Sequence, residues 1–362
     1  MLKQQKIFFD FLRFCIGSAK EIPDSLKEAD WKELYAIAQK QCLVGVFFDG
    51  IKKLPAEHVG MKKELLLQWM AESQMLEKAN VRLNDAVILV SEWFRKKGFR
   101  TCILKGQGNA LLYPNPYSRT PGDIDIWVEG GDKRVIFFVR SISPHEKACY
   151  HHIEFPSYKG VEVEVHYRPS FLLCFWHNRK LQKYYERVKE EQFSHQVMLG
   201  EQGEIAIPTV EFNLIFQLTH IYAHLMNEGI GLRQLLDYYY VLISDDLLLI
   251  RDRVQKELKE LGLWKFAGGI MYIMQEVFGM PASRLIVPPN EKYGKFVLNE
   301  VLEAGNFGKH DARNRFGRSQ LGHNLQRVYR DMRLVRYFPA EAMSEPIFRV
   351  WHFFWRWYQK EL

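Results

Sequence analysis

Apolar residues recur at helical spacing from the first turn of the chain, with Phe8, Phe9, Leu12 and Ile16 on one face, and the pattern breaks at Ile22-Pro23-Asp24. A second helix is predicted over about 29–41, within a helical region reaching about Lys53. From Glu57 to Lys97 the residues are helix formers without proline, which predicts one long helix stopped by Gly98. There the period changes. Residues 99–105 are short and β-rich and lead into glycines, the pattern of a strand entering a loop. Pro114, Pro116 and Pro121 hold the next segment irregular beyond a short helix near 109–112, and 123–128 reads as an apolar strand ended by Gly130 and Gly131. A helix over 132–142, strands within 147–155 and 161–168 about a turn at 157–160, a helix over 179–191 and a short β pair within 195–208 follow. From Thr209 or Glu211 onward helices dominate to the end. This order predicts an α+β fold: a mixed β-sheet core over 98–208, flanked by largely helical regions over 1–97 and 209–362.

At 362 residues and 47% hydrophobic content the chain is long enough for one large core or two to three smaller ones. No apolar run is long enough to cross a bilayer, and charges interrupt the apolar residues of the first turn, so neither a membrane protein nor a signal peptide is expected and the cytoplasm is the expected compartment. The five cysteines are scattered, odd in number and without a Cys-x-x-Cys pair, which argues against a disulfide framework and a zinc knuckle. A net charge of +7 suits tolerance of anionic ligands rather than a dedicated nucleic-acid binder. One local exception runs from Lys309 to Arg336, where eight basic residues face two acidic ones. It reads as a solvated helix face, or as a contact for an anionic acceptor such as RNA.

Candidate chemistry centres on Asp123 and Asp125. Spaced by one residue on a strand, their side chains share a face, while Ile124, Ile126 and Val128 share the other. At ~4 Å and an effective dielectric near 20, two such charges repel by roughly 4 kcal/mol, an arrangement that a divalent cation relieves. By the same repulsion, replacing Asp125 by Asn is expected to leave stability equal or higher. Lys105-Gly106-Gln107-Gly108 is neither a Walker A loop, lacking Gly-Lys-Ser/Thr, nor a dinucleotide fingerprint, since Leu111 stands where the third glycine or alanine belongs. It does fit a strand followed by a glycine that lets a phosphate approach the backbone.

This arrangement, Leu-Lys-Gly at 104–106 and then RTPGDIDIWV at 119–128, resembles the nucleotidyltransferase superfamily that shares the DNA polymerase β fold. It looks closest to the bacterial group described as uncharacterised nucleotidyltransferases, in which a lysine precedes the glycine, an arginine precedes the acidic strand, and a third acid stands two residues before a histidine. Here those are Lys105, Arg119 and Glu164-Val165-His166, and the 229–241 segment, with Arg233 and Asp237, is similar to that group's Leu-Arg-x-Leu-x-Asp helix. The resemblance implies Asp123, Asp125 and Glu164 as catalytic and metal-holding residues, with magnesium or manganese as cofactor. It implies transfer of a nucleoside monophosphate from a nucleoside triphosphate to an unidentified hydroxyl acceptor, a small molecule, sugar, protein or RNA, with release of pyrophosphate. Glu162 shares the face of Glu164 by alternation and competes for the third position. Where that superfamily usually has Gly-Ser or Gly-Gly, this chain has Gly106-Gln107 and a longer stretch before the acids, which leaves triphosphate binding to backbone N–H groups around Gly106 and Gln107, to Lys105 and to Arg119. Two alternatives stand beside this reading: a catalytically weak or inactive nucleotide-binding protein of the same fold, and an RNA-directed, toxin-like transferase.

Other residues have two readings each. Arg233 either contacts the nucleotide or pairs with Asp237 one turn later. Trp127 either stacks on a base or packs in the core. His220 and His224 lack the Glu of a zinc-protease helix and read as polar positions on an amphipathic helix or lining a cleft, and His151, His152 and His177 as ordinary strand or surface residues. The aromatic end, 348–359, is expected to pack a core, with a membrane or partner surface as the other reading.

Overall fold

The computed structural model describes residues 3–201, 203–305, 313 and 320–361. Helices α1 (Lys3–Ile16), α2 (Trp31–Lys40) and α3 (Val44–Ile51) pack Phe8, Phe11, Trp31 and Phe47 ring against ring. Asp30 starts α2 by accepting hydrogen bonds from the N–H groups of Lys32 and Glu33, satisfying two of the donors that every helix N-terminus leaves open. The long helix α4 (Lys63–Lys96) begins six residues later than the sequence pattern suggests, because 56–58 form a separate 3₁₀ turn between Pro55 and Gly60. The indole of the fully buried Trp69 donates to the Val44 carbonyl at 3.0 Å and ties α4 to α3.

The sheet region follows: β1 (Thr101–Ile103), α5 (Gln107–Ala110), β2 (Ile124–Val128), α6 (Gly131–Ile142), β3 (His152–Tyr158) and β4 (Val161–His166). The strand order is β1-β2-β4-β3, with β2 and β4 parallel and the outer pairs antiparallel, so the sheet is mixed as expected. Alternation divides its faces. Ile124, Ile126, Val128, Val163 and Val165 pack with Leu83, Val87 and Phe94 of α4 and with α6 in one core. The opposite face carries Asp125 and Trp127 from β2 and Glu164 and His166 from β4. Trp127 packs on Phe193, Phe212 and Tyr185, so its core reading holds and it offers no stacking surface to a base. β3 starts only at His152. The 147–151 half of the expected strand contributes a single bridge between Ala148 and Ile153.

Helix α7 (Phe175–Ser194), the hairpin β5 (Gln196–Met198) and β6 (Glu204–Ala206), and helices α8 (Val210–Asn227), α9 (Leu232–Leu242), α10 (Leu247–Glu260), α11 (Trp264–Glu276) and α12 (Glu291–Ala304) come next. Thr209 caps α8. The last two helices are α13 (Gln320–Leu334) and α14 (Pro339–Glu361). The first helices and the later ones share one core, in which Phe8, Trp69, Phe216 and Phe278 are all fully enclosed. The aromatic end divides: Phe348 is buried, whereas Phe353, Phe354, Trp357 and Tyr358 are more than half exposed. Aromatic residues surround α14 on more sides than its single packed face can cover, so the core expectation fails for these four. Among the described residues no helix is long and apolar enough to cross a membrane.

Candidate active site

The polar face of the sheet looks into a cavity of about 610 Å³. β2 and β4 form its floor, α8 supplies His220 and His224 to one wall, and Arg327 of α13 with Phe348, Arg349 and His352 of α14 closes the far side. Parallel pairing sets Asp125 directly opposite Glu164 across the strand gap, and the next same-face pair is Trp127 with His166. Oxygen and nitrogen atoms of Asp125, Glu164 and His166 consequently lie within 4.8 Å of one another.

Asp125 is buried and doubly paired. Lys105 Nζ lies 3.0 Å from its Oδ2 and His166 Nε2 lies 3.0 Å from its Oδ1. Burial pushes this carboxyl up, but Lys105 and His166 outweigh burial and hold it below the usual carboxylate range. His166 responds in the opposite sense. Burial disfavours its charge, yet hydrogen bonds to Asp125 and to Glu164, whose Oε2 is 3.4 Å away, push it up to about 9. Asp123 stands one residue before β2, half-buried in the wall of the same cavity, and the charge of Asp125 followed by burial raises its carboxyl above the ordinary value. Glu164 also contacts His152 Nδ1 at 3.5 Å, and His151 and His152 share a hydrogen bond whose donor depends on the tautomer. Burial keeps His151 and His220 well below the ordinary imidazole value and brings His152 down to about 4.

The remaining residues marked in the sequence fall into two groups. Lys105 and Gly106 are at the site. Gly106 has φ +60° and ψ −112°, a conformation open to glycine, and a Cβ there would lie 3.6 Å from the Asp123 carbonyl, so the turn after β1 runs directly beside the acidic segment. Glu164 lines the cavity, whereas Glu162 is exposed and outside it. Gln107, Arg119 and Arg233 are directed elsewhere. The Gln107 amide donates to Asn84 of α4 in a buried contact. Arg119 makes a buried two-point ion pair with Asp237 at 2.9 and 2.8 Å, and Tyr113 donates to the same carboxylate at 2.7 Å. Arg233 donates to the Thr120 carbonyl at 3.1 Å and packs within 3.6 Å of the position a Cβ on Gly122 would take. The carboxylate that one of the two readings pairs with Arg233 is bonded by Arg119 and also attracts Arg233 electrostatically, and both arginines brace the 119–122 loop that delivers Asp123 to the sheet.

Of the basic segment, Lys309, Arg315 and Arg318 lie outside the described residues. Arg313 pairs with Glu300 at 2.8 and 3.0 Å, Arg333 reaches the same carboxylate at 3.4 Å, and Arg330 donates to the Glu228 carbonyl. Arg327 reaches the cavity.

His151, His152 and His166 around Glu164 are the grouping that the sequence reading did not assemble. Alternation in 164–166 already put His166 on the face of Glu164. The contribution of His151 and His152 depends on β3 pairing with β4 in a register that sets His152 opposite His166. A set of carboxylate oxygens with one imidazole nearby is a donor set for magnesium or manganese. It fits here because Asp125 already draws two cationic partners and because Asp123 is crowded by its charge.

The chain matches the family described as uncharacterised nucleotidyltransferases over residues 27–279. No curated protein matches it. Among solved structures, the crystal structure of an antigenic nucleotidyltransferase-like protein from Paracoccidioides brasiliensis is similar at 14% sequence identity, covering 50% of this chain and 90% of that one, with a TM-score of 0.29. With well over half of its length matched, the chain belongs to the family of uncharacterised nucleotidyltransferases.

Proposed function

We propose that the chain transfers a nucleoside monophosphate from a nucleoside triphosphate to a hydroxyl acceptor, using Asp123, Asp125 and Glu164 to hold divalent metal. The observation that carries this reading is the parallel register that sets Asp125 against Glu164, with the Gly106 turn beside Asp123. Magnesium or manganese bound to these carboxylates would neutralise phosphate charge and acidify the acceptor hydroxyl. The rest falls to the chain. Lys105 is released from Asp125 to the triphosphate, backbone N–H groups of the Gly106 turn face its oxygens, and Asp123 takes the acceptor proton. The new bond joins the acceptor oxygen to the α-phosphorus, the bond from that phosphorus to the bridging oxygen breaks, and pyrophosphate leaves with the electron pair. His151, His152 and His220, kept neutral by burial, and the walls of α8 and α14 line the reacting centre.

A second reading rests on one contact set: both oxygens of Asp125 are engaged by Lys105 and His166, which suits a protein that binds nucleotide with little turnover. The experiment separating the two incubates the protein with each α-labelled triphosphate, magnesium or manganese and cell extract, and asks whether label moves and into which size class. Transfer that stops in a D125N and an E164Q variant supports catalysis. Nucleotide binding without transfer supports the second reading. Transfer undiminished in a double D123A/D125A variant refutes the assignment of these acids.

A further inference from the structure

Cys174, His177 and Glu341 meet where the start of α7 abuts the first turn of α14. Cys174 immediately precedes α7 and His177 lies in its first turn, so the Cys-x-x-His spacing brings both side chains to the same helix end, while Glu341 arrives from α14. A sulfur, an imidazole nitrogen and a carboxylate oxygen of the three lie within 4.8 Å of one another.

The carboxylate carries the second observation. Glu341 is only 3% exposed. Its Oε2 accepts the N–H groups of Leu173 at 2.6 Å and Cys174 at 3.2 Å, which orients the group. Its Oε1 is buried without a hydrogen-bond partner, and His177 Nδ1 stands 3.7 Å from it, beyond hydrogen-bond reach. Buried carboxylate oxygens are costly to leave unsatisfied. A Cβ on Gly262 would fall 2.4 Å from the His177 ring, so this glycine is what admits the imidazole beside the end of α10.

We propose that Cys174, His177 and Glu341 form a transition-metal site of the zinc class, with a fourth position for water. Around tetrahedral zinc, with bonds of about 2.0–2.3 Å, donors stand roughly 3.3–3.7 Å apart, so the three groups close on an ion with shifts of about an ångström or less. The thiol donor selects against magnesium and calcium. Binding deprotonates Cys174 and releases that proton to solvent. The two N–H bonds to Oε2 are the outer contacts that aim Oε1 at the ion. Since α14 also supplies Phe348, Arg349 and His352 to the active-site cavity, the ion would fasten that wall to α7. This inference is independent of the proposed nucleotidyl transfer.

The test uses the full chain, stripped with chelator, dialysed and titrated with cobalt(II). A near-ultraviolet thiolate-to-cobalt band that saturates at equimolar metal, is lost in Cys174→Ser and requires at least tenfold more cobalt in Glu341→Gln is the expected result. The glutamine keeps an oxygen for the two N–H groups, so its weakened binding reports on the metal rather than on the helix cap. Zinc should also raise the melting temperature of the parent chain and not that of Cys174→Ser. No band in the parent chain, or a band that survives Cys174→Ser, overturns the proposal.

Discussion

Lys105 Nζ and Asp125 Oδ2 stand 3.0 Å apart in the floor of the cavity, an ion pair between the turn expected to receive phosphate and the strand expected to hold metal. Replacing Lys105 by Met leaves Asp125 with His166 as its remaining cationic partner. Breaking a pair this enclosed costs about 3–5 kcal/mol. Divalent metal should recover part of that loss, so thermal melts of K105M with and without magnesium should differ by more than those of the parent chain. An equal magnesium effect on both would separate Lys105 from the metal-binding acids.

The two aspartates should respond with opposite signs. Asp123 is raised by its neighbour's charge, so D123N removes repulsion and should leave stability unchanged or slightly higher in metal-free buffer. Asp125 is held by Lys105 and His166, so D125N strands two cationic partners and should destabilise by several kcal/mol. This reverses the effect that repulsion alone implies for Asp125. Chemical denaturation of both variants without metal provides the comparison.

Glu162 and Glu164 separate in a binding assay. E164Q removes a carboxylate that faces Asp125 across the parallel strands and should abolish magnesium-dependent nucleotide binding. E162Q alters an exposed group outside the cavity and should bind as the parent does. Equilibrium binding of a fluorescent triphosphate analogue, with metal varied, reads both.

Asp237 should make the chain acid-sensitive. Burial pushes its carboxyl up, but Arg119 and the hydrogen bonds outweigh burial and hold it below the ordinary value. A carboxyl depressed on folding contributes stability that is full above its unfolded value of about 3.9 and is lost as pH falls through the folded value. Melting temperature should therefore drop as pH falls below about 4 in the parent chain. D237N should start lower, by about 3–5 kcal/mol at neutral pH, and show a shallower acid limb.

Most of the fold was legible because its elements obey simple periods. The glycines at 130 and 131, the Thr209 cap and the alternation in 124–128 each mark a boundary or a face with local chemistry. The acidic strand was legible for the same reason. What was not legible depends on pairings between distant segments. Arg119 meeting Asp237 instead of a phosphate, Gln107 turning to Asn84, and the histidines of β3 gathering near Glu164 all follow from helix docking and strand register, which no local spacing encodes. The exposed aromatic residues of α14 escaped for another reason: hydrophobic periodicity identifies an apolar face and does not say whether anything covers it.

The cavity's floor and its far wall are separated by about two hundred residues of chain, with β2 near position 125 and α14 beyond position 339. During synthesis, which extends the chain at about 5–20 residues per second, the acidic strand leaves the ribosome well before the helix that encloses it exists. The sheet is able to pair early, but the cavity gains its far side only once α14 has emerged and folded. Any activity that needs this wall is thereby withheld until α14 has docked.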